Sequence, residues 1–231
     1  MKASVTAAIL AAVCASSAAS GADLPAGPPP PAAAPAFVAP VPYSWTGVYF
    51  GVNAGYGFAT ATGTATLGAF SASASENLDG FVGGGQIGAN YQVGAMVVGV
   101  EADFDGTTQK TSTTAGIVTG TDSVPWIGTV RGRLGAAFDR VLVYGTGGLG
   151  YGEFDSTLTA AGIGTVTASK TNTAWVAGAG VEYAFTNYIS GRVEYLYLDT
   201  GNIPLGTVGA ISVTGRVQDN IVRGGVNFKL P

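Results

Sequence analysis

Eight stretches of the chain alternate apolar residues with small or polar ones at a period of two, and the connections between them are alternately long and short. The first stretch, 45–58, shows the pattern clearly. It places on one face Val48, Phe50, Val52, Ala54, Tyr56 and Phe58, and on the other Tyr49, Gly51, Asn53, Gly55 and Gly57. One face suits lipid and the other a polar interior. The pattern predicts an all-β fold, an eight-stranded antiparallel up-and-down transmembrane β-barrel.

The chain is apolar, yet after its first segment it contains no run long enough for a membrane-spanning helix. Only 10% of the 231 residues are charged, and the mean hydropathy is +0.35. The longest later apolar run, 93–100, is far shorter than the roughly 20 residues that a helix needs to cross a bilayer. Strands can cross the hydrocarbon only when every backbone group is paired, so a closed barrel is expected.

Strand and loop positions follow from the alternation. The predicted strands are 45–58, 78–92, 95–105, 125–138, 141–152, 173–185, 188–198 and 216–230. Long connections rich in Thr, Ser, Gly and Ala are predicted at 59–77, 106–124, 153–172 and 199–215, with tight turns near 92–94, 139–140 and 186–187. Outer-membrane barrels keep short turns in the periplasm and long loops outside. The expected location is therefore a Gram-negative outer membrane, with both termini periplasmic and the loops extracellular.

The N-terminal residues divide into two segments that precede the barrel. Residues 1–22 combine Lys2 with an apolar run and a small-residue site, which predicts a secretory signal peptide. Cys14, the only cysteine, lies inside it, so the mature protein is expected to have no disulfide. Residues 23–42 are rich in Pro and Ala and predict an extended periplasmic tether, with the barrel at 43–231.

Charge and composition exclude several function classes. Without Lys2 the mature chain carries nine basic and fourteen acidic residues, 9 − 14 = −5, which argues against a nucleic-acid partner. Histidine is absent, which removes the commonest general base and the commonest metal ligand. Two G-x-G-x-x-G matches, 83–88 and 145–150, open no helical pattern and are interpreted as strand glycines. We expect no enzyme activity, no catalytic residue, no cofactor and no metal.

Eight charged residues inside the predicted strands fall on the inward face. A charge facing lipid near the midplane costs about 2–4 kcal/mol, which favours a lumen position. The set is Glu101, Asp103, Arg131, Arg133, Glu182, Arg192, Glu194 and Arg223, with the polar residues Asn53, Gln86, Asn90 and Asn227. Such a set could form an ion pathway or a catalytic carboxylate pair. Four acidic and four basic residues instead favour an internal salt-bridge network that plugs a narrow barrel.

Index sums give a specific pairing scheme for these charges. In an antiparallel hairpin, directly opposed residues have a constant index sum, and Glu101 with Arg133 and Asp103 with Arg131 both give 234. That register places two acid–base pairs across the third and fourth strands. Glu182 and Arg192 flank a tight turn almost symmetrically, and Glu194 is expected to approach Arg223.

Aromatic residues concentrate near the predicted strand ends, as in the interfacial girdles of membrane barrels. They are Tyr43, Trp45, Phe58, Phe81, Tyr91, Phe104, Trp126, Phe138, Tyr151, Trp175, Phe185, Tyr197 and Phe228.

Several strings in sequence order carry a family resemblance. They are WTGVY at 45–49, GVNAGYG at 51–57, GGQIG at 84–88, GVEADF at 99–104, VRGRLG at 130–135, AFDR at 137–140, GAGVEYAF at 178–185 and EYLYLD at 194–199. Together they resemble the small outer-membrane β-barrel proteins of alphaproteobacteria, often labelled porins and similar to outer-membrane protein A. The resemblance implies a role in envelope integrity and surface exposure. It also implies contact with outer-membrane lipid, lipopolysaccharide and the barrel insertion machinery.

These observations together predict a monomeric surface protein with a charge-plugged lumen that supports envelope integrity and surface interactions. Peptidoglycan and a host or surface ligand are further candidate partners. Two alternatives stay open at this point. One is a narrow porin that passes water, ions or very small solutes, and the other is a secreted, soluble β-sandwich.

Overall fold

The computed structural model describes residues 43–116, 118–160, 162, 164–208 and 210–231. The predicted signal peptide at 1–22 and the proline-rich tether at 23–42 lie outside these residues. Nine strands are formed: β1 Gly47–Leu67, β2 Phe70–Val93, β3 Met96–Ala115, β4 Val118–Phe138, β5 Val141–Ala160, β6 Gly164–Ala184, β7 Ile189–Asp199, β8 Ile203–Val208 and β9 Ile211–Lys229. Among the described residues, no helix is long and apolar enough to span a membrane.

The strands close into one antiparallel ring. Each strand from β1 to β7 pairs with the next, β7 pairs with β9, and β9 pairs with β1. β7 and β8 both lie against β9, at 218–228 and 211–215 respectively, so they share one position in the ring. The predicted eight-stranded antiparallel barrel is confirmed, with its seventh position interrupted at 200–202.

The outer surface of the ring is apolar, as the alternation requires. Val48, Phe50, Val52 and Phe58 of β1 are exposed, whereas Tyr49 is buried in the interior. Outward aromatic rings form two rows. Phe104, Trp126 and Tyr151 contact in series in one row, and Phe50 and Phe228 stack in the other.

Two residues assigned to the aromatic girdle instead turn inward. Tyr43 and Trp45 are buried in the mouth of the barrel at the end that carries the short turns, called here the short-turn end. The Trp45 indole N–H donates to the Asp139 carbonyl at 3.1 Å, and the Trp45 backbone N–H donates to the Gln92 side chain at 2.7 Å. These bonds cap the mouth, because they hold the segment before β1 across the barrel opening.

The predicted long loops are mostly strand, which corrects the sequence-based interpretation. β1 and β2 pair without interruption up to Leu67 and Phe70, and only Gly68 and Ala69 form the turn. Threonine favours extended backbone because it is β-branched, and opposed hydroxyls bond across the strands. Such pairs occur in three hairpins: Thr62–Ser75, Thr64–Ser73, Ser112–Thr121, Thr114–Thr119, Thr157–Thr167 and Thr159–Thr165.

The tight turns fall where they were predicted. Gly94 and Asp139 hold positive φ at two of them, and residues 185–188 form the third. At the opposite end, called here the hairpin end, Gly68, Gly116 and Gly162 hold positive φ in the hairpin turns.

The ring divides into two leaves toward the hairpin end. Pairing between β2 and β3 stops at Val82 and Thr107, and pairing between β6 and β7 stops at Trp175 and Asp199. Beyond these points β8, β9, β1 and β2 stay paired in one leaf, and β3, β4, β5 and β6 in the other. We call the fully paired part the belt. The parts beyond it are the extensions, formed by 60–67, 70–77, 108–115, 118–124, 153–160, 164–173, 203–208 and 211–217.

The interior of the barrel is layered. The short-turn end is filled by Tyr43, Trp45, Val97, Ala137, Leu142, Tyr144 and Ala184. The hairpin end is filled by Ala59, Leu78, Val82, Val124, Ile127, Val176, Leu196, Leu198 and Ile221. Between these two apolar layers lie the charged residues.

Glycine makes room for the large inward rings. A Cβ on Gly88 would lie 2.4 Å from the Tyr49 hydroxyl, and one on Gly180 would lie 2.6 Å from the Tyr144 hydroxyl. Gly88 belongs to the first G-x-G-x-x-G match, which lies within β2, and the second match lies within β5. No helix follows either match, so neither provides the helix N-terminus that a dinucleotide phosphate site needs.

Candidate functional site: a charged core in the lumen

The structure places all twelve of the predicted lumen residues on the inward face, and all are buried. The charged ones lie at alternate positions of five neighbouring or facing strands. They are Glu101 and Asp103 on β3, Arg131 and Arg133 on β4, Glu182 on β6, Arg192 and Glu194 on β7, and Arg223 on β9. We call this set, with the side chains bonded to it, the charged core.

Arg131 joins three carboxylates. Its guanidinium lies 2.6 Å from Glu101, 2.8 Å from Asp103 and 3.0 Å from Glu194. Its Nε donates to the Thr129 hydroxyl at 2.9 Å. Because Glu194 is on β7, this arginine ties one wall of the barrel to the opposite one.

Arg223 makes a second cross-lumen junction from β9. It contacts Glu194 at 2.8 Å, Asp103 at 3.2 Å and Asp105 at 2.7 Å. Glu194 and Arg223 are directly opposed in the ladder between β7 and β9. Two of these carboxylates also contact Arg131, so the two arginines share their partners.

Glu101 lies at the centre of a third group. It accepts hydrogen bonds from Arg192 and from the Tyr49 hydroxyl at 2.6 Å, and Arg133 lies 3.5 Å away. Arg133 also contacts Glu182 at 2.8 Å and lies over the Tyr144 ring at 3.9 Å. A guanidinium held between carboxylates and an aromatic face keeps its charge compensated without water.

Side-chain amides complete a closed circuit around the lumen. Asn227 donates to Glu182 and accepts from Gln86, each at 2.8 Å. Gln86 accepts from Asn53 at 2.8 Å, and Asn53 donates to Asp105 at 2.9 Å. The circuit therefore returns through Asp105 to Arg223. Satisfied buried networks of this kind rigidify the structure around them.

One predicted residue lies apart and several partners were missed. No hydrogen bond within the described residues joins the buried Asn90 amide oxygen to the core. Asp105 was missed although it continues the period of Glu101 and Asp103, because it stood at the predicted end of its strand. The partners without charge that were missed are Tyr49, Thr129, Tyr144, Thr146 and Ser190.

The predicted register between β3 and β4 is wrong by two residues. Glu101 is opposed by Arg131, with an index sum of 101 + 131 = 232, and Asp103 is opposed by Thr129. The sum is 109 + 124 = 233 at Gln109 and 106 + 126 = 232 at Gly106, because a bulge lies between them, and neither is the predicted 234. The prediction assumed that opposite charges oppose each other directly, whereas Arg131 bonds both the opposed Glu101 and the diagonal Asp103. A shift of two keeps every side chain on its face, so the charges still meet diagonally.

The predicted pair of Glu182 and Arg192 is opposed in the ladder but bonded elsewhere. Glu182 bonds Arg133, Ser190 and Asn227, whereas Arg192 bonds Glu101. Long arginine side chains reach past their direct neighbours, so opposition alone does not fix the partner.

The chemistry of the charged core follows from its composition. Five carboxylates and four guanidinium groups give a net charge of 4 − 5 = −1. Every one of these carboxylates contacts an arginine. No group of three or more acidic, histidine or cysteine side chains suited to a metal occurs in the described part of the chain.

A separate ion pair lies at the rim, outside the apolar band, where the outward side chains of β9 are polar. Arg216 bonds Asp199, and the Gly201 backbone N–H donates to the same carboxylate at 2.8 Å. The hydrogen bond from Arg216 is the main cause that lowers the pKa of Asp199 to about 2.

A closed antiparallel ring with an apolar outer band and a polar interior defines an outer-membrane β-barrel protein. The family described as outer membrane protein beta-barrel domain matches residues 5–228. The chain belongs to this family, and its location is the outer membrane.

Named relatives from alphaproteobacteria agree with this assignment. The chain is 38% identical over 245 residues to the 31 kDa outer-membrane immunogenic protein of Brucella melitensis, covering 98% of this chain and 99% of that protein. It is 36% identical over 158 residues to the 22 kDa outer membrane protein of Rhizobium leguminosarum, covering 68% and 64% respectively. These names describe location and immunogenicity, and neither names an enzyme.

A solved structure with a similar fold is the outer membrane protease OmpT from Escherichia coli. The match has a TM-score of 0.54 and 8% identity, and covers 83% of this chain and 99% of that one. At that identity the likeness concerns the fold alone.

Proposed function

We propose that this protein is a structural surface component of the outer membrane whose lumen is closed by the charged core. The observation that carries the proposal is the circuit of ion pairs between facing walls, in which Arg131 and Arg223 each bind three carboxylates. Two apolar layers flank the circuit, and Trp45 caps the short-turn mouth. A solute crossing the lumen has to break these contacts.

The surface role rests on the extensions, which the extracellular assignment of the hairpin end would expose to other molecules. Their hydroxyl pairs keep them extended, and the side chains of 164–171 are exposed on both faces. The apolar band supports contact with outer-membrane lipid and lipopolysaccharide. The insertion machinery, peptidoglycan and a host or surface ligand are further proposed partners.

Ring closure within one chain supports a monomer, because the belt leaves no unpaired strand edge for a second copy. The pairing of every carboxylate in the charged core supports a role without catalysis, and the proposed function uses no cofactor.

A narrow porin is the second candidate, and one observation favours it. The Nε and Nη2 atoms of Arg192 have no hydrogen-bond partner among the described residues. These unpaired N–H groups are free to donate hydrogen bonds to water in the lumen.

Conductance in planar bilayers tests the proposal. The full-length protein should show no steady current steps, whereas Arg131→Ala combined with Arg223→Ala should admit ions because it removes both cross-lumen junctions. Lys110→Ala, which removes one exposed charge from an extension, is the control and should behave as the unmodified protein. Steady steps in the unmodified protein would instead support the porin.

Protease added to intact cells tests the orientation. Cuts confined to 59–77, 106–124, 153–172 and 199–215 would agree with extracellular extensions. Cleavage within 23–42 on intact cells would mean that the orientation is inverted.

A further inference from the structure

A cavity of about 60 Å³ lies inside the hairpin end, above the charged core. Its walls are mainly apolar and include Ala59, Val124, Ile127, Phe154 and Leu198. It is separated from the charged core by the apolar layer that contains Leu196 and Ile221. The cavity is therefore distinct from the network that closes the lumen.

Asp219 is the polar group that makes this cavity more than a packing defect. The residue lines the cavity and is only 5% exposed. Its Oδ2 accepts from the Gln109 amide at 2.9 Å, whereas its Oδ1 has no hydrogen-bond partner among the described residues. A buried carboxylate without a compensating charge is unfavourable unless something pairs with it.

The remaining lining favours a cation over any other partner. Phe154 adds an aromatic ring, whose face attracts cations. Neither lysine nor arginine contributes to this lining within the described residues. The two arginines of β9 on either side of Asp219 are already paired, Arg216 with Asp199 and Arg223 with three carboxylates.

Size and access set further limits on the ligand. A buried water needs about 10–15 Å³ of such volume, so the cavity holds a group of about five non-hydrogen atoms. Thr200, Asn172 and Ala174 lie in its wall, at the level where the pairing of β6 with β7 ends. That interruption leaves a side of the cavity without a continuous strand ladder.

The geometry points to a binding site for a small organic cation, a primary ammonium group on a short apolar body, with the ammonium paired to Asp219. The apolar body lies against Val124, Ile127 and Leu198. The site has no part in closing the lumen, so it goes beyond the structural role proposed above.

The simpler explanation is a neutral carboxyl or a trapped water at Asp219, and the two can be distinguished by ligand charge. n-Butylammonium and 1-butanol have the same number of non-hydrogen atoms, and only the first carries a charge. Hydrogen bonds to charged groups are strong enough that the ammonium should bind at least about tenfold more tightly than the alcohol. Butyrate should show no binding.

The experiment titrates each probe into the full-length barrel in nanodiscs and follows backbone amide chemical shifts of the residues that line the cavity. Asp219→Asn should bind both probes with about equal affinity. Asp122→Asn, which removes one acidic charge from the β4 extension, is the matched control and should keep the tenfold preference. Ala174→Leu fills the cavity and should weaken both probes.

Equal affinities for ammonium and alcohol in the unmodified protein would overturn the proposal, and so would a preference that survives in Asp219→Asn. Gel mobility of unboiled samples checks that each variant is folded. Should Asp219→Asn fail to fold, the comparison of the two probes in the unmodified protein and in Ala174→Leu decides the same question. Equal binding by Ala174→Leu and the unmodified protein would place the ligand elsewhere.

Discussion

The belt and the extensions are parts of the same strands, yet they are stabilised differently. In β1, residues 49–67 pair on both sides, but residues 47–59 bury Tyr49, Asn53 and Ala59, whereas residues 60–67 contain no buried side chain. Around the belt the ring is complete, and around the extensions it is two separate leaves. Alternation thus specifies strand in both regions, but the extensions bury only a few side chains next to the belt, such as Gln109 and Val124.

Contacts in the belt and contacts in the extensions contribute differently to the free energy of unfolding. An opposed pair of exposed hydroxyls contributes about 0.2–1 kcal/mol. Removing one partner of a buried ion pair costs about 3–5 kcal/mol, because the other charge stays buried without compensation. Stability should therefore depend on the belt far more than on the extensions.

The largest effect is expected from Arg131→Met, which leaves three carboxylates without their shared partner. We expect the free energy of unfolding to fall by about 3–5 kcal/mol, measured by urea titration of the detergent-folded barrel with tryptophan fluorescence. Lys110→Met removes the same charge from an extension and should change it by less than about 0.5 kcal/mol. Equal losses of unfolding free energy in the two variants would contradict the claim that stability depends on the belt far more than on the extensions.

An intermediate effect is expected from double-mutant cycles on Arg133. Its contact with Glu182 is 2.8 Å and that with Glu101 is 3.5 Å, so the coupling to Glu182 should be the larger of the two. Couplings between contacting residues are about 0.5–3 kcal/mol. The cycles use Glu182→Gln, Glu101→Gln and Arg133→Met in the same urea titration. A stronger coupling to Glu101 would mean that the index-sum pairing describes the energetics better than the observed geometry.

A smaller effect is expected from Thr62→Val, which removes one hydroxyl pair but keeps a β-branched side chain. The loss should be under about 0.5 kcal/mol, because the pair is exposed to water. The double variant Thr62→Val/Thr64→Val, compared with the two single variants, shows whether the contributions of neighbouring hydroxyl pairs to the free energy of unfolding are additive. A loss above about 1 kcal/mol from either variant would show that the extensions fold cooperatively with the belt.

The smallest effect concerns pH and the rim pair of Asp199 and Arg216. The pKa of Asp199 is lowered to about 2 in the folded protein, below the ordinary value of about 3.9. The pair therefore contributes stability above about pH 4, and loses it as the pH falls through about 2. Arg216→Gln should raise the pKa of Asp199 toward its ordinary value, measured by carboxyl chemical shifts. An unchanged pKa would show that the Gly201 N–H bond alone holds the carboxylate.

The sequence predicted the barrel and the facing of its charges because both depend only on a period of two. Glu101, Asp103, Arg131 and Arg133 share one face under any register that preserves that period. The register itself was predicted by matching opposite charges, and a period of two does not distinguish an index sum of 232 from one of 234. The error of two residues therefore changed partners but not faces.

The extensions could not be recognised from hydrophobic alternation, because residues such as Thr62 and Ser73 are small and polar on both faces. The high β-propensity of threonine is the sequence signal from which these strands could have been predicted. Asp219 was recognisable, since it shares its face with Arg223 and Asn227 along β9. Its partner Gln109 was not, because it lay in a segment predicted as a loop.

Hydrogen exchange along β1 tests most directly the claim that the charged core holds the belt rigid. In the unmodified barrel, amides at 49–57 should exchange far more slowly than those at 60–66. In Arg131→Met, protection at 49–57 should fall toward that of the extension, while protection at 60–66 stays the same. Protection at 49–57 that is unchanged by Arg131→Met would contradict the account, because strand pairing and lipid alone would then explain the rigidity of the belt.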